Sequence, residues 1–254
     1  MKPSWVSHPY VEGSDLLKVS DASAVQVASS DGVMVGESAI AIGNAQGYGI
    51  SVSLGVVSVD SEYITMTAAD GKTSVKSRLM RVDTAVNPGN SGGGLFNGKG
   101  ELIGIVNAKI VDEEVDSIGY AIPSAVAVAV ADNIIDHCLG TDAECVQRAM
   151  LGITVAPIDS KAVYDPIDGS VRIVETVSVY ELSEDSIANG ILQSGDVMVS
   201  ASFNESTVVI TRQYHIIDMM LRVRAGDEIE LSIIRGDEEM TVKVTVTEEC
   251  LTEY

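Results

Sequence analysis

The sequence is poor in aromatic side chains, basic residues, cysteine and histidine, and each shortage argues against a class of protein. Aromatics make up 4% of the 254 residues, so any core must be assembled mainly from Val, Ile, Leu and Ala. Sixteen Lys and Arg stand against 37 Asp and Glu, a net charge of -21. That balance repels the phosphates of nucleic acid and of anionic membrane surfaces, so neither is an expected partner. Three cysteines are too few for a disulfide scaffold. Cys138 and Cys145 close a short loop compatible with a bridge or with two ordinary thiols, and Cys250 has no obvious partner. Three histidines without ligand spacing offer no metal site, and no cofactor is expected. No apolar run approaches the ~20 residues of a membrane-spanning helix. Met1-Lys2-Pro3-Ser4-Trp5 also lacks the apolar core of a leader peptide.

What is present is glycine, 23 residues of it, and many β-branched side chains, which together predict a β-rich chain long enough for two modest domains. Between Gly36 and Ile122 short apolar runs are punctuated by Gly, Asn, Asp and Ser. Candidate strands are Ser38–Ile42, Val52–Val59, Tyr63–Thr67, Val75–Val82, Leu102–Ala108 and Ile118–Ile122, a spacing that predicts a small antiparallel barrel. Pro123-Ser124 is a helix start signal, and Ser124 can cap orphan N–H groups, so Ser124–Leu139 is expected as a helix closing the first domain. Polar residues 140–148 read as a linker. A second domain begins near Leu151, with strands around Ile153–Ala156, Val171–Val177, Asp196–Ala201, Glu228–Ile234 and Met240–Thr247. Two helical patches, Glu184–Asn189 and Arg212–Val223, intervene, and Asn189-Gly190 suits a left-handed cap. Arg235-Gly236-Asp237 is a hairpin turn.

The segment that carries chemistry is Asp83-Thr84-Ala85-Val86-Asn87-Pro88-Gly89-Asn90-Ser91-Gly92-Gly93. Pro88 fixes one φ, and Gly89, Gly92 and Gly93 permit conformations closed to other residues. Such a loop can hold a serine hydroxyl at its apex while aiming N–H groups at the oxyanion of a tetrahedral acyl intermediate. A bare Gly-x-Ser-Gly is also a common turn. The longer segment Val82–Gly93, however, closely resembles the nucleophile loop of the HtrA/Deg serine proteases. Val35–Asn44 and Ser53–Ser58 upstream, and Gly100–Asn107 and Ile118–Pro123 downstream, resemble further segments of that family in the right order, over about 90 residues.

The resemblance implies that Ser91 is the nucleophile and that the N–H groups of Gly89 and Ser91 form the oxyanion hole. It also implies that Val86 helps line an apolar primary pocket for small aliphatic side chains. Gly94 departs from the family, which usually has Pro there, and is expected to loosen the following strand. Residues 149–248 resemble the PDZ domain that follows such proteases, with Leu151-Gly152-Ile153 as the loop capturing a peptide's terminal carboxylate. Leu192–Met198, Ala225–Ile229 and Ile234–Gly236 match as well. The helix Arg212–Val223, with Ile216, Ile217 and Met220, would complete the groove, and His215 could line it.

The expected fold is therefore mainly β. Residues 1–139 would hold the second barrel of a chymotrypsin-like protease domain with a remnant of the first and a closing helix, and a PDZ domain would follow the linker. A triad also needs a histidine base and an orienting carboxylate. Ser14–Val19 looks like a shortened form of the family's aspartate segment, which makes Asp15 the candidate. Alignment on Leu17-Lys18-Val19 would put Gly13 there instead. The family's Thr-x-x-His-Val segment is not present: His8 lies in an unrelated context, and His137 suits the end of a helix as a dipole partner. An excised fragment, a misplaced gene start and a natural pseudoprotease all fit. The implied function is a serine endopeptidase of protein quality control, acting on unfolded or mislocalised polypeptides and recognising C-terminal peptides. The alternative is an inactive peptide-binding scaffold. By the same resemblance the protein would be extracytoplasmic and homo-oligomeric, as a trimer.

Overall fold

Short β-branched runs broken by Gly, Asn and Asp form strands over most of the chain. The computed structural model describes residues 5–6, 17–18, 23–44, 47–67, 74–87, 89–112, 115–138, 146–167 and 171–253. The chain divides into two units, Met1–Val128 with Leu139–Thr141, and Ala129–Cys138 with Asp142–Tyr254. Of the expected linker, residues 140–145 lie outside the described residues.

In the first unit β1 (Trp5–Val6) and β2 (Leu17–Lys18) form a small antiparallel pair. β3 (Ser38–Gly43), β4 (Ser51–Thr67), β5 (Ser74–Val82), β6 (Gly94–Phe96), β7 (Leu102–Asp112) and β8 (Val115–Pro123) close into a barrel in the order β3-β4-β5-β8-β7-β6. The six strands are not the six expected. Val52–Val59 and Tyr63–Thr67 are one strand, in which irregularities between Val57 and Glu62 absorb the polar Asp60-Ser61 without breaking the ladder. The sixth strand is β6, too short to leave a pattern. Gly94 is paired on both sides, to Ile42 and to Ile105, and a side chain there would meet the Phe96 ring at 2.5 Å. The ring thus covers the glycine, which stands in an intact ladder. Scarcity of aromatics shows inside the barrel, where Ala39, Ala41, Val57, Met80, Val82, Leu95, Ile103 and Val106 are all at most 1% exposed.

The closing helix is shorter than expected: α1 (Ser124–Asn133) gives way to a π turn over Ile134–Cys138, with His137 exposed in it. Its start is capped from a distance. Ser30 Oγ accepts from Ala125 N at 3.0 Å, while Ser124 Oγ accepts from Ser30 N at 3.0 Å and donates to Ala28 O at 2.6 Å. Ser124 therefore satisfies the 3₁₀ turn Ser30–Gly32 rather than its own helix.

The second unit holds β9 (Gln147–Ala149), β10 (Ile153–Tyr164), β11 (Val171–Leu182), β12 (Val197–Phe203), β13 (Ser206–Val209), α2 (Gln213–Met219), β14 (Glu228–Arg235), β15 (Glu238–Thr245) and β16 (Leu251–Glu253). The sheet runs β10-β11-β12-β14-β15, with β13 paired to β12. β9 pairs with β16, so the unit extends past both expected limits, 149 and 248. The second expected helix is also absent. Glu184–Asn189 is a run of turns, because Ser186 Oγ bonds Leu151 O at 2.7 Å and Asn189 Nδ2 bonds Glu184 O at 2.8 Å, so side chains take the place of helical backbone bonds. The other patch, Arg212–Val223, keeps only Gln213–Met219 as helix.

Two strands start from the same device. Asp196 Oδ2 accepts from Gln193 N at 2.9 Å, and Asp227 Oδ2 accepts from Arg224 N at 2.7 Å, each closing a turn whose third residue is a left-handed glycine, Gly195 (φ 93°) or Gly226 (φ 91°). Asp196 is fully buried and also takes two bonds from Arg235, at 2.8 and 2.7 Å. Burial pushes its pKa up, but the bonds from Arg235 and from the Gln193 N–H outweigh that and hold it below the usual carboxylate range. A depressed carboxylate stabilises the fold above its unfolded pKa, near 4, and that contribution disappears as pH falls through the lower folded value. Asp196→Asn should therefore lower the thermal midpoint most at neutral pH, and the gap from the parent should shrink below about pH 4. Thermal melts from pH 7 to 2 read this; a gap constant over that range contradicts it.

Candidate active site and peptide groove

The loop between β5 and β6 is set on the first half of β4. Asp83 Oδ1 accepts from Val56 N at 2.6 Å, Thr84 Oγ1 bonds Ser53 Oγ at 3.1 Å, and Ser53 Oγ donates to Ala85 O at 2.9 Å. Gly55 lies against this stretch: a Cβ there would meet Thr84 N at 2.6 Å as well as Asp83 Oδ1. Farther along, Asn90 is buried at 3% exposure, donates from its backbone to Asn87 O at 2.9 Å, and accepts at Oδ1 from Ser51 Oγ at 3.3 Å. Gly92 N donates to Val106 O at 2.7 Å, Gly93 N to Asn90 O at 2.9 Å, and Asn44 N to Gly89 O at 3.4 Å. Gly89 (φ 98°) and Gly92 (φ 84°) take the left-handed conformations these turns require.

The carbonyls of Asn87, Gly89 and Asn90 are thus all engaged. The N–H groups of Gly89 and Ser91 make no hydrogen bond among the described residues, nor does the exposed Ser91 hydroxyl. Two unspent donors thus lie within three residues of one another at a serine, and unspent N–H donors are what a tetrahedral acyl oxyanion needs. Val86 is buried at 5% exposure within the barrel core and packs on Gly119, where a Cβ would meet Val86 Cγ2 at 2.7 Å. Asp15 and His8 lie outside the described residues. In the sequence of residues 1–128 His8 is the one histidine; His137 and His215 lie in the second unit.

The second unit has a cavity of about 80 Å³ lined by Leu151, Gly152, Ile153, Ile216, Ile217 and Met220, the six residues named for a groove in the sequence, together with Arg148 and Val155. Gly152 (φ 71°) is pressed against the turns of 183–186, where a Cβ would meet Ser186 Cα at 2.6 Å. Leu151 O and Gly152 O are taken by Ser186 Oγ at 2.7 Å and Ser183 N at 2.9 Å, while the N–H groups of Leu151 and Gly152 make no hydrogen bond among the described residues. Spare N–H groups, an apolar floor and an arginine suit a carboxylate that follows an apolar side chain. β10 is the outermost strand of its sheet, and α2 packs against it.

Arg148 escaped the sequence reading because it lies in the polar stretch taken for a linker. Its one signal is its place three residues before Leu151. His215 does not line the cavity: its Nδ1 accepts from Thr211 N at 3.3 Å and its ring stands edge-on to Tyr214, so it serves the start of α2.

A family model, the trypsin-like peptidase domain, matches residues 15–105, the stretch that contains the serine loop. Among curated proteins the chain is 27% identical over 241 residues to a serine protease Do-like HtrA of Bacillus subtilis (strain 168), covering 90% of this chain and 51% of that one. It is 31% identical over 235 residues to a probable periplasmic serine endoprotease DegP-like of Pseudomonas fulva (strain 12-X), covering 91% and 45%. The chain thus spans about half the length of the curated relatives it matches. A solved structure described as HtrA-type protease AlgW with tripeptide superposes with a TM-score of 0.52 at 26% identity, over 93% of this chain and 72% of that one.

The support of the serine loop by β4 is open to a direct test. Gly55→Ala forces a methyl group onto the backbone of Thr84, an overpacking that should cost about 1–3 kcal/mol. The amide resonances of Asp83 and Thr84 should shift. Urea denaturation and NMR read both effects; a variant as stable as the parent, with those resonances in place, contradicts the contact.

Proposed function

We propose, for a chain that belongs to the HtrA family of trypsin-like serine proteases, that it pairs the nucleophile-bearing part of a serine endopeptidase with a PDZ domain for C-terminal peptides. The observation that carries the reading is the pair of N–H groups, Gly89 and Ser91, unengaged among the described residues, beside an exposed serine hydroxyl in a loop where the Asn87, Gly89 and Asn90 carbonyls are tied down. In this reading Ser91 Oγ attacks a peptide carbonyl carbon, and the carbonyl oxygen becomes an oxyanion held by those two N–H groups. The serine proton passes to an imidazole oriented by a carboxylate, the role proposed for Asp15, and then to the leaving amine; water releases the acyl group. Val86, largely buried in the barrel core, is proposed to form part of the apolar wall of the primary pocket, which favours small aliphatic residues before the cut bond. The substrate class is unfolded or mislocalised polypeptide. An extracytoplasmic site is proposed because several relatives are named periplasmic.

In the second unit a peptide would add as a strand beside β10, its carboxylate on the N–H groups of Leu151 and Gly152 with Arg148 nearby. A second reading, an inactive peptide-binding scaffold, is motivated by the sequence alone: His8 is the one histidine of residues 1–128, and its context does not resemble the family's base segment. A serine without a base stays protonated at neutral pH, and loss of the triad base costs about a million-fold. The two readings separate on a serine-directed fluorophosphonate applied with and without added imidazole. Labelling of Ser91 that rises with imidazole supports the protease, and none at any concentration supports the scaffold.

Two outcomes are expected of the purified 254-residue chain. Unfolded casein should survive the parent and its Ser91→Ala variant alike; cleavage by the parent alone would show that a base stands within these residues. Peptides with a free C-terminus and an apolar last residue should bind in the micromolar range, about 8 kcal/mol. Amidating the C-terminus should abolish binding, and unchanged affinity in a titration would sink the groove assignment.

A further inference from the structure

One contact in the second unit sits where a bound peptide would have to be. An added strand hydrogen-bonds through the outward-facing N–H and C=O groups of the edge strand, which alternate with those used by the neighbour inside the sheet. On β10 the Val155 carbonyl is turned to α2 rather than to β11, and it accepts from Gln213 Nε2 at 2.5 Å. That donor is held in place. The backbone N–H of Gln213 donates to Glu175 Oε2 at 2.7 Å, and Glu175 also pairs with Arg212 at 3.4 Å. Val155 lines the same cavity as Leu151 and Gly152. A peptide running antiparallel to β10 with its carboxylate at Gly152 therefore presents to Val155 the residue two before its C-terminus.

We propose that the Gln213 side-chain amide is a built-in competitor for the peptide groove: it occupies the Val155 carbonyl that an added strand needs, and so sets the affinity and selectivity of the groove. The inference rests on the reading of the cavity as a groove for C-terminal peptides. An incoming peptide exchanges the Gln213–Val155 bond for its own N–H bond to the same oxygen, so part of its gain is cancelled. Peptides that cannot donate at that position, such as those with proline there, leave the amide in place and lose a bond. A side chain without a donor removes the competition.

The test is titration of a heptapeptide with an apolar last residue and a free carboxylate into the parent chain and into Gln213→Met, which keeps length and apolar contact but cannot donate. The variant should bind about threefold to tenfold tighter, the span expected from one hydrogen bond no longer broken. Gln213→Ala should shift affinity in the same direction, which guards against a contact made by the new methionine. An otherwise identical peptide with an ester in place of the amide of its third-last residue lacks the competing N–H and should bind parent and variant alike. Equal binding of the amide peptide to parent and variants, or weaker binding to the variants, overturns the competitor role while leaving the groove standing. Failure of the parent and both variants to bind the peptide removes the groove and the competitor together. Thermal midpoints within a few degrees of the parent show that the variants are folded.

Discussion

A backbone N–H without a partner gives up the stabilisation that secondary structure ordinarily supplies, and two loops accept this among the described residues. In each, the carbonyls are engaged by neighbouring groups, which fixes the direction of the peptide planes and leaves particular N–H groups unspent. Around Ser91 the engaging groups are Asn44, Asn90 and Gly93, all backbone donors, and the loop is footed on Ser53 and Gly55 of β4. Around Gly152 they are Ser183 and Ser186, set in turns. Both loops need a left-handed glycine, Gly89 in one and Gly152 in the other, because only glycine reverses the peptide there without steric cost. The proposed chemistry of both sites, an oxyanion in one and a carboxylate in the other, asks for the same thing: fixed dipoles pointing at negative charge.

That dependence explains where buried polar groups lie. Asn90, Ser186 and Asp196 are each at most 6% exposed and each ties a loop or a strand start to a distant segment. Asp196 joins the turn before β12 to Arg235 at the end of β14, so two segments far apart in sequence are bonded to one another. Ser30 N donates to Ser124 Oγ, 94 residues away in sequence, and Ser30 Oγ accepts from Ala125 N, so that α1 is capped from outside. With so few aromatics, the fold draws specificity from such polar ties and from close glycine contacts as well as from core volume.

The barrel, the serine loop and the residues of the cavity were legible because they rest on local signals: period-two apolar runs, left-handed glycines, and motifs a few residues long. What escaped was what depends on distant partners. The bulged middle of β4 reads as two strands, because Asp60-Ser61 interrupts the apolar pattern although the ladder continues. Glu184–Asn189 has helical composition, but Leu151, more than thirty residues upstream, takes the Ser186 hydroxyl and the segment becomes turns. Arg148 and Gln213 look like ordinary polar surface until β9 and α2 bring them to the cavity and its edge strand. The triad carboxylate had the weakest signal, and its candidate, Asp15, lies outside the described residues; the sequence offered no segment for the imidazole.

The central claim is that both loops hold particular N–H groups unspent while their neighbours are locked, and native-state amide hydrogen exchange measured residue by residue tests it most directly. Gly92 and Gly93, bonded to Val106 O and Asn90 O, should exchange slowly, as should Met150, bonded to Cys250 O. Ser91 and Gly152 should exchange faster than these neighbours by several orders of magnitude. Ser91 or Gly152 protected as strongly as Gly92 would mean that the donors are spent within the fold, and the account of both sites would fail.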